Sequence, residues 1–245
     1  MTATRPFPAT RVPVDEPRIT VGVAAGTWAV CWLAGNLIGA VIIGATGHSG
    51  ESLASTPVWL TVASALALWI PTIVALQVVS DRFGTRSFTA DHGLAFRPVD
   101  VVGLAIGVLS QLVVLPLVYL PLRSGWPDTF DRAHLERNAG DLYDSAHGGW
   151  LVVLVLIVVV GAPLVEELLY RGLLQRAFVS RMNEILAVVL VAAWFAIIHF
   201  RAVEYPGLFA FGLVLGICAL VTRRLGMGVL AHLAFNATGL VLVAR

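Results

Sequence analysis

The chain has 245 residues, of which 58% are hydrophobic and 13% charged, and its formal net charge is +1. This composition excludes an ordinary soluble domain and gives no basis for nucleic-acid binding, so it indicates a multi-pass membrane protein. Cys31 and Cys218 are the only cysteines and fall in apolar stretches, so we expect buried free thiols rather than a disulfide or a metal pair.

The apolar segments are long and continuous, which is typical of membrane-spanning helices and unlike the roughly ten-residue alternation of barrel strands. We therefore expect an all-α, polytopic transmembrane helix bundle of about seven spans. Residues 1–20, with four prolines and three arginines, predict a disordered cytoplasmic tail. The predicted spans are residues 21–45, 57–80, 101–121, 149–165, 185–199, 205–222 and 227–243, and the fourth runs on into the segment of Glu166 and Glu167.

Arginine placement predicts the orientation, because short cytoplasmic loops carry an excess of basic residues. With the N-terminus inside, the predicted inner segments hold eleven arginines and the outer segments hold five. We therefore expect a plasma-membrane protein with a cytoplasmic N-terminus and an external C-terminus.

Four pairs of glycines spaced four residues apart predict close helix contacts, because small residues let backbones approach. These pairs are Gly22 and Gly26, Gly35 and Gly39, Gly103 and Gly107, and Gly212 and Gly216. Pro163 stands three residues before Glu166, where it is expected to open the backbone of its helix.

The longest loop, residues 122–148, is polar but carries an apolar stripe. Leu135, Ala139, Leu142 and Ala146 have the spacing of one helix face, which predicts a helix on the membrane surface. Such a helix would be either a solvated connection or a lid that gathers substrate.

Charged residues at membrane depth are functional candidates, because an unpaired charge there is costly. Glu166 and Glu167 follow an apolar run, and Arg171 stands four residues after Glu167. Side chains four apart share a helix face, so we expect Glu167 and Arg171 to pair as structural support. Glu166 is then the carboxylate left to act as a general base.

Polar residues in two later apolar segments extend this set. His199 ends one segment, with Phe195 one helical turn before it, and His232 and Asn236 share a face of the last span. The imidazole and the carboxamide of the last span can donate hydrogen bonds to a tetrahedral oxyanion. Glu166 and His199 can polarise a water, so the set predicts hydrolysis of a peptide bond.

Zinc is an alternative for the same side chains. Glu166, His199 and His232 are candidate zinc ligands, with water in the open position. The HExxH spacing of common zinc proteases is absent, so spacing leaves metal involvement open.

Three motifs together resemble a known family. Residues 166–171 read EELLYR, residues 195–199 read FAIIH and residues 232–236 read HLAFN. They match, in order, the EExxxR, FxxxH and HxxxN motifs of the CAAX protease and bacteriocin-processing enzyme (CPBP) family of intramembrane proteases. That family includes the type II CAAX prenyl proteases and the abortive-infection-like proteins. The resemblance covers about residues 149–243, a catalytic membrane domain that follows N-terminal transmembrane helices and loops at residues 21–148.

The resemblance implies an intramembrane endopeptidase, of glutamate-dependent or metalloprotease type. It implies Glu166 as base and His199 as the partner that activates water. It also implies that His232 and Asn236 contact the oxyanion or a metal ion. The expected partners are the lipid bilayer and a peptide or membrane-anchored protein substrate, with no element visible for an isoprenoid.

Two other functions stay open: a catalytically silent scaffold or bacteriocin-immunity-type protein, and a proton-coupled carrier. A protease needs one compact cluster around water, whereas a proton relay needs polar groups that reach both membrane faces. Helix rise places Glu166 and His232 near the inner face but His199 deeper. We expect a water-filled cavity that opens to the cytoplasmic side.

Overall fold

A computed structural model describes residues 19–52 and 54–244, so almost all of the predicted disordered tail lies outside the described residues. The described chain is all helical, as predicted. Its helices are α1 (Val21–Ala45), α2 (Val58–Phe83), α3 (Phe88–His92), α4 (Pro98–Gly125), α5 (Arg132–Asp144), α6 (Gly149–Val179), α7 (Glu184–Ile197), α8 (Tyr205–Thr222) and α9 (Gly226–Val243).

Six of these helices, namely α1, α2, α4, α6, α8 and α9, are long and apolar enough to cross a membrane. Helix α7 is apolar but has only 14 residues, about 21 Å at the helical rise. It packs between α6 and α8 and contributes a short seventh crossing. The prediction of a multi-pass helical bundle with about seven spans is confirmed.

The loops collect on two faces of the bundle. Arg223, after α8, bonds Glu184 at the start of α7 at 2.8 Å, and the Leu225 N–H bonds the Gly93 carbonyl at 2.9 Å. On the other side, the Tyr119 hydroxyl donates to the Val203 carbonyl at 2.9 Å. We call residues 84–97, 180–183 and 223–225, with the start of α1, the N-terminal face, and residues 46–57, 126–148 and 198–204 the opposite face.

Helix α6 extends beyond the predicted span, which ran from residue 149 to 165 and on into the segment of the two glutamates. It has 31 residues and continues to Val179, so Glu166 lies near its middle. Counted from the turn after α6, Glu166 is about 20 Å and His199 about 22 Å into the bundle. The expected placement of Glu166 near one face was wrong, because the helix continues through the charged residues, and the predicted mismatch in depth with His199 disappears.

Two wider, π-helical turns interrupt α6, at Leu156–Gly161 and Glu167–Gln175. In the first, the Ala162 N–H donates to the Ile157 carbonyl, five residues back. With the same five-residue spacing, the Val158 carbonyl would pair with the N–H of residue 163. That residue is Pro163, which has no N–H. The Val158 carbonyl is therefore free to accept a bond from another helix, and the predicted opening of the backbone near Pro163 is confirmed.

Close helix approach depends on some of the predicted glycines and not on others. A Cβ added at Gly107 of α4 would overlap the Ala231 carbonyl oxygen of α9, and one at Gly35 would lie 2.7 Å from Leu68. A Cβ at Gly26 of α1 would meet nothing within 4 Å. A Cβ at Gly22 would meet only Thr20 Oγ1, at 3.9 Å, so the prediction of close helix packing was wrong for both members of this pair.

We expect Gly107→Ala to lower the stability of the bundle, because the added methyl group forces α4 away from α9 at a cost of about 1–3 kcal/mol. Thermal unfolding of the purified protein in detergent measures this loss. The matched control is Gly26→Ala, where open space and the better helix propensity of alanine favour unchanged or slightly higher stability. Equal melting temperatures for both variants would contradict the close contact.

Candidate active site

An ion pair without solvent access lies at the centre of the bundle. The Glu167 and Arg171 side chains are both 0% exposed, and Nη1 of Arg171 donates to Oε1 of Glu167 at 3.0 Å. Nη2 of Arg171 donates to the Gly212 carbonyl of α8 at 3.1 Å. The pairing that residue spacing predicted is present, and it ties α6 to α8.

His232 of α9 lies between the two adjacent glutamates. Its Nδ1 is 3.1 Å from Oε1 of Glu167, and its Nε2 is 3.8 Å from Oε2 of Glu166. A carboxylate oxygen only accepts hydrogen bonds, so Nδ1 carries the proton in the bond to Glu167. In neutral His232, Nε2 is then the acceptor, and it is directed toward Glu166.

Phe195 of α7 is the apolar centre around which the polar groups pack. The guanidinium carbon of Arg171 lies 4.7 Å from the centroid of its ring, and the rings of His199 and His232 lie at 4.9 and 6.0 Å. The Phe195 side chain is buried. This placement fits the supporting role expected for Phe195, since a rigid ring restricts the movement of three polar neighbours.

Glu166 differs from Glu167 in its access to solvent. Its side chain is 29% exposed and lines a cavity of about 620 Å³, together with His199 and Asn236. Nδ1 of His199 donates to the Phe195 carbonyl at 2.7 Å, so its Nε2 has no proton in the neutral ring and can accept one from water. Glu166 and His199 therefore present two acceptors to one cavity.

Asn236 is fixed by the opened backbone of α6. Its Nδ2 donates to the Val158 carbonyl at 2.8 Å, the carbonyl that faces Pro163. A carboxamide nitrogen has two hydrogens, so one remains for a ligand in the cavity. Pro163 thus has an indirect part in the site, because it leaves the carbonyl that orients Asn236.

The predicted site residues do not all take the expected positions. Glu166, His199 and Asn236 share the cavity, whereas His232 is not among its lining residues and lies behind the two carboxylates. We expected His232 beside Asn236 as an oxyanion donor. The geometry instead makes it a partner of Glu166 and Glu167.

The amphipathic segment of the long loop is helix α5, as its stripe predicted. Leu135, Ala139 and Leu142 line the cavity, and Arg132 and Glu136 of the same helix line it near the surface of the opposite face. The apolar stripe therefore covers the cavity, which favours the lid over the solvated connection.

Five further polar residues line the cavity and were not selected as site residues from the sequence: Gln111, Tyr119, Arg123, Asn138 and Glu204. Burial raises the pKa of Glu204, and the nearby Arg201, at 3.5 Å, opposes that rise. Gln111 could have been selected from the sequence, because it is a polar residue inside an apolar span.

The candidate zinc ligands do not form a metal site as they are arranged. Among the described residues, no group of three His, Cys, Asp or Glu side chains is placed to hold a metal ion. Nδ1 of His199 is bonded to a backbone carbonyl, and Nδ1 of His232 is bonded to Glu167. The chemistry below is therefore derived from the side chains alone.

The site is therefore a compact cluster of carboxylate and imidazole groups beside a cavity within a membrane helix bundle. Residues 148–238 match the Rce1-like family, described as type II CAAX prenyl endopeptidase Rce1-like. This segment contains all three motifs, and its match supports the resemblance to the CAAX protease family. No curated protein and no solved structure matches the chain. The division of the chain near residue 148 stays a prediction.

We expect Glu167→Gln to destabilise the protein by about 3 kcal/mol or more, because it leaves the buried Arg171 charge without its partner. Glu184→Gln is the matched control, since it breaks an ion pair that is 65% and 47% exposed and is worth under about 1 kcal/mol. Thermal unfolding in detergent gives both values. A Glu167→Gln variant as stable as the control would mean that the buried charge is not held by this pair.

Proposed function

We propose that the protein is an endopeptidase of the plasma membrane that uses a water in the cavity to hydrolyse a peptide bond. Its substrate is a peptide or a membrane-anchored protein. The observation that carries this proposal is the solvent access of Glu166, which shares a cavity with His199 and Asn236. The adjacent Glu167 side chain has no solvent access. The family match over residues 148–238 supports a protease of the CAAX type.

Glu166 is the general base in this mechanism. A water in the cavity donates one hydrogen bond to Glu166 and the other to Nε2 of His199, and its oxygen attacks the peptide carbonyl carbon. The water proton passes to Glu166, and the carbonyl oxygen becomes an oxyanion. The carbon–nitrogen bond then breaks as Glu166 returns the proton to the leaving amine, so atoms and charges balance.

Asn236 and His232 act at different points of this reaction. The free N–H of Asn236 stabilises the oxyanion. His232 accepts a hydrogen bond at Nε2 from Glu166 once that carboxyl is protonated, and Glu167 keeps the proton of His232 on Nδ1. Arg171 neutralises Glu167, so that the charge at Glu166 remains the one available to react.

A proton-coupled carrier is less well supported. Polar groups do continue from Glu166 through His232 and Glu167 to Arg171, which lines a smaller pocket of about 250 Å³ near the N-terminal face. Arginine does not release its proton in proteins. A proton relay along this line therefore stops at Arg171, whereas hydrolysis needs no connection to the second face.

Replacement of the base gives the direct test. We expect Glu166→Gln to lower cleavage of a fluorogenic peptide library in detergent by roughly 10²- to 10⁴-fold, because the amide takes no proton from water. Glu51→Gln, at an exposed loop residue that does not line the cavity, is the matched control and should cleave like wild type. Cleavage that survives in Glu166→Gln would overturn the assignment of the base.

Metal removal distinguishes the metal-free mechanism from a zinc-dependent one. We expect a chelator to leave the cleavage rate unchanged, because the proposed step uses only side chains and water. A loss of activity that added zinc restores would contradict the metal-free step. It would then assign metal binding to Glu166, His199 and His232.

A further inference from the structure

A second pocket, of about 250 Å³, lies at the N-terminal face and is separate from the cavity beside Glu166. The ends of α6 and α8 and the turn after α8 form its walls. Within the described part of the chain, its lining includes four arginines and no acidic residue. The four are Arg171, Arg176, Arg223 and Arg224. Such a concentration of positive charge attracts an anion. We call this site the arginine pocket.

Three of the four arginines have carboxylate partners that lie outside the lining of the arginine pocket. The pairs are Arg171 with Glu167 at 3.0 Å, Arg223 with Glu184 at 2.8 Å, and Arg224 with Asp100 at 2.7 Å. Arg176 differs, since it forms no ion pair with any of the described residues. Its Nη2 donates to the Ala90 carbonyl at 3.3 Å.

The carboxylate of Asp91 lies near Arg176 but is bonded elsewhere. It accepts hydrogen bonds from the Ser80 hydroxyl and from the backbone N–H and hydroxyl of Thr85. A guanidinium has five N–H donors, so Arg176 has several left for a ligand. Arg176 is also exposed at the surface of the N-terminal face, which makes it accessible from outside the bundle.

Two buried polar atoms at the inner end of the arginine pocket also need a partner. Arg171 and Gln175 line the pocket and are 1% and 3% exposed. Among the described residues, Nε of Arg171 and Oε1 of Gln175 have no hydrogen-bond partner. A buried polar atom without a partner costs about 1–3 kcal/mol. A ligand with an acceptor oxygen and a hydroxyl group would satisfy both atoms, because Nε donates and Oε1 accepts.

A phosphate group fits this combination of charge and donors. The planar fork of an arginine matches phosphate oxygens with two parallel hydrogen bonds. The arginine pocket also lies at the end of membrane-spanning helices, at the level where lipid headgroups lie, and basic pockets between such helices bind anionic headgroups. The same end of α8 presents Ile217 and Val221, which are 53% and 74% exposed, as surface for acyl chains.

We propose that the arginine pocket binds a phosphate group, and that its position favours the headgroup of an anionic phospholipid as the source. Free phosphate has the same chemistry, so the experiment below includes it as a separate arm. The bound group would contact α6, α8 and the turn after α8 together. This proposal rests on the geometry of the arginine pocket and does not depend on the proposed hydrolysis.

Titration calorimetry of the full chain in detergent measures this binding. The probe is a short-chain phosphatidylglycerol, and short-chain phosphatidylcholine is the neutral lipid for comparison. We expect at least fivefold tighter binding of phosphatidylglycerol. Arg176→Gln should weaken that binding about fivefold, which is the effect of one basic residue at an anionic lipid surface. Arg181→Gln is the matched control, because Arg181 is exposed at the same face but is not among the lining residues, and it should bind like wild type.

Ser180→Asp tests the same site without removal of an arginine. Ser180 is exposed and lines the arginine pocket, so a carboxylate there repels a phosphate group. We expect it to weaken phosphatidylglycerol binding at least fivefold. Thermal unfolding without lipid establishes that each variant is folded before the titration.

Inorganic phosphate provides the remaining arm, at constant ionic strength. We expect it to leave the affinity for phosphatidylglycerol unchanged at concentrations equal to that of the lipid. Competition at equal concentration would retain the phosphate site and overturn the lipid as its source. Equal binding of the two lipids, or an equal loss of affinity in Arg176→Gln and Arg181→Gln, would overturn the site itself.

Discussion

The carboxylate of Glu167 has no contact with solvent, so protein groups must balance its charge and bond its oxygens. Arg171 supplies the positive charge from the next turn of α6, and His232 donates a hydrogen bond from α9. These bonds fix the position of His232 and the nitrogen that carries its proton. They leave Glu166, one residue earlier, turned toward the cavity. The bonds of one buried carboxylate therefore determine which of two adjacent glutamates faces the cavity.

The irregular geometry of α6 places the site at mid-depth. A π-helical turn before Pro163 leaves the Val158 carbonyl free, and Asn236 uses it to cross from α9 to α6. Irregular backbone within a membrane is tolerated only where protein or a cavity satisfies it. The π-helical turn that weakens α6 therefore also orients the Asn236 carboxamide beside the cavity.

Much of this arrangement follows from sequence, and the rest depends on contacts that sequence does not encode locally. Length and apolarity predicted the helices, and four-residue spacing predicted the pair of Glu167 and Arg171. Hydropathy carried this span only to the two glutamates and did not predict how far α6 continues, because the charged residues there are satisfied by each other and by α8 and α9. The position of His232 behind the carboxylates depends on how α9 packs against α6. No pattern within α9 contains that information.

The account depends most on the contrast between two adjacent carboxylates, and carboxyl footprinting measures that contrast directly. The purified protein in detergent would be treated with a water-soluble carbodiimide and an amine, and the labelled residue located by fragmentation in a mass spectrometer. The account predicts that Glu166 is modified, because its side chain is 29% exposed in the cavity, and that Glu167 is not, because its side chain is 0% exposed. Equal labelling of both glutamates, or labelling of Glu167 alone, would contradict it.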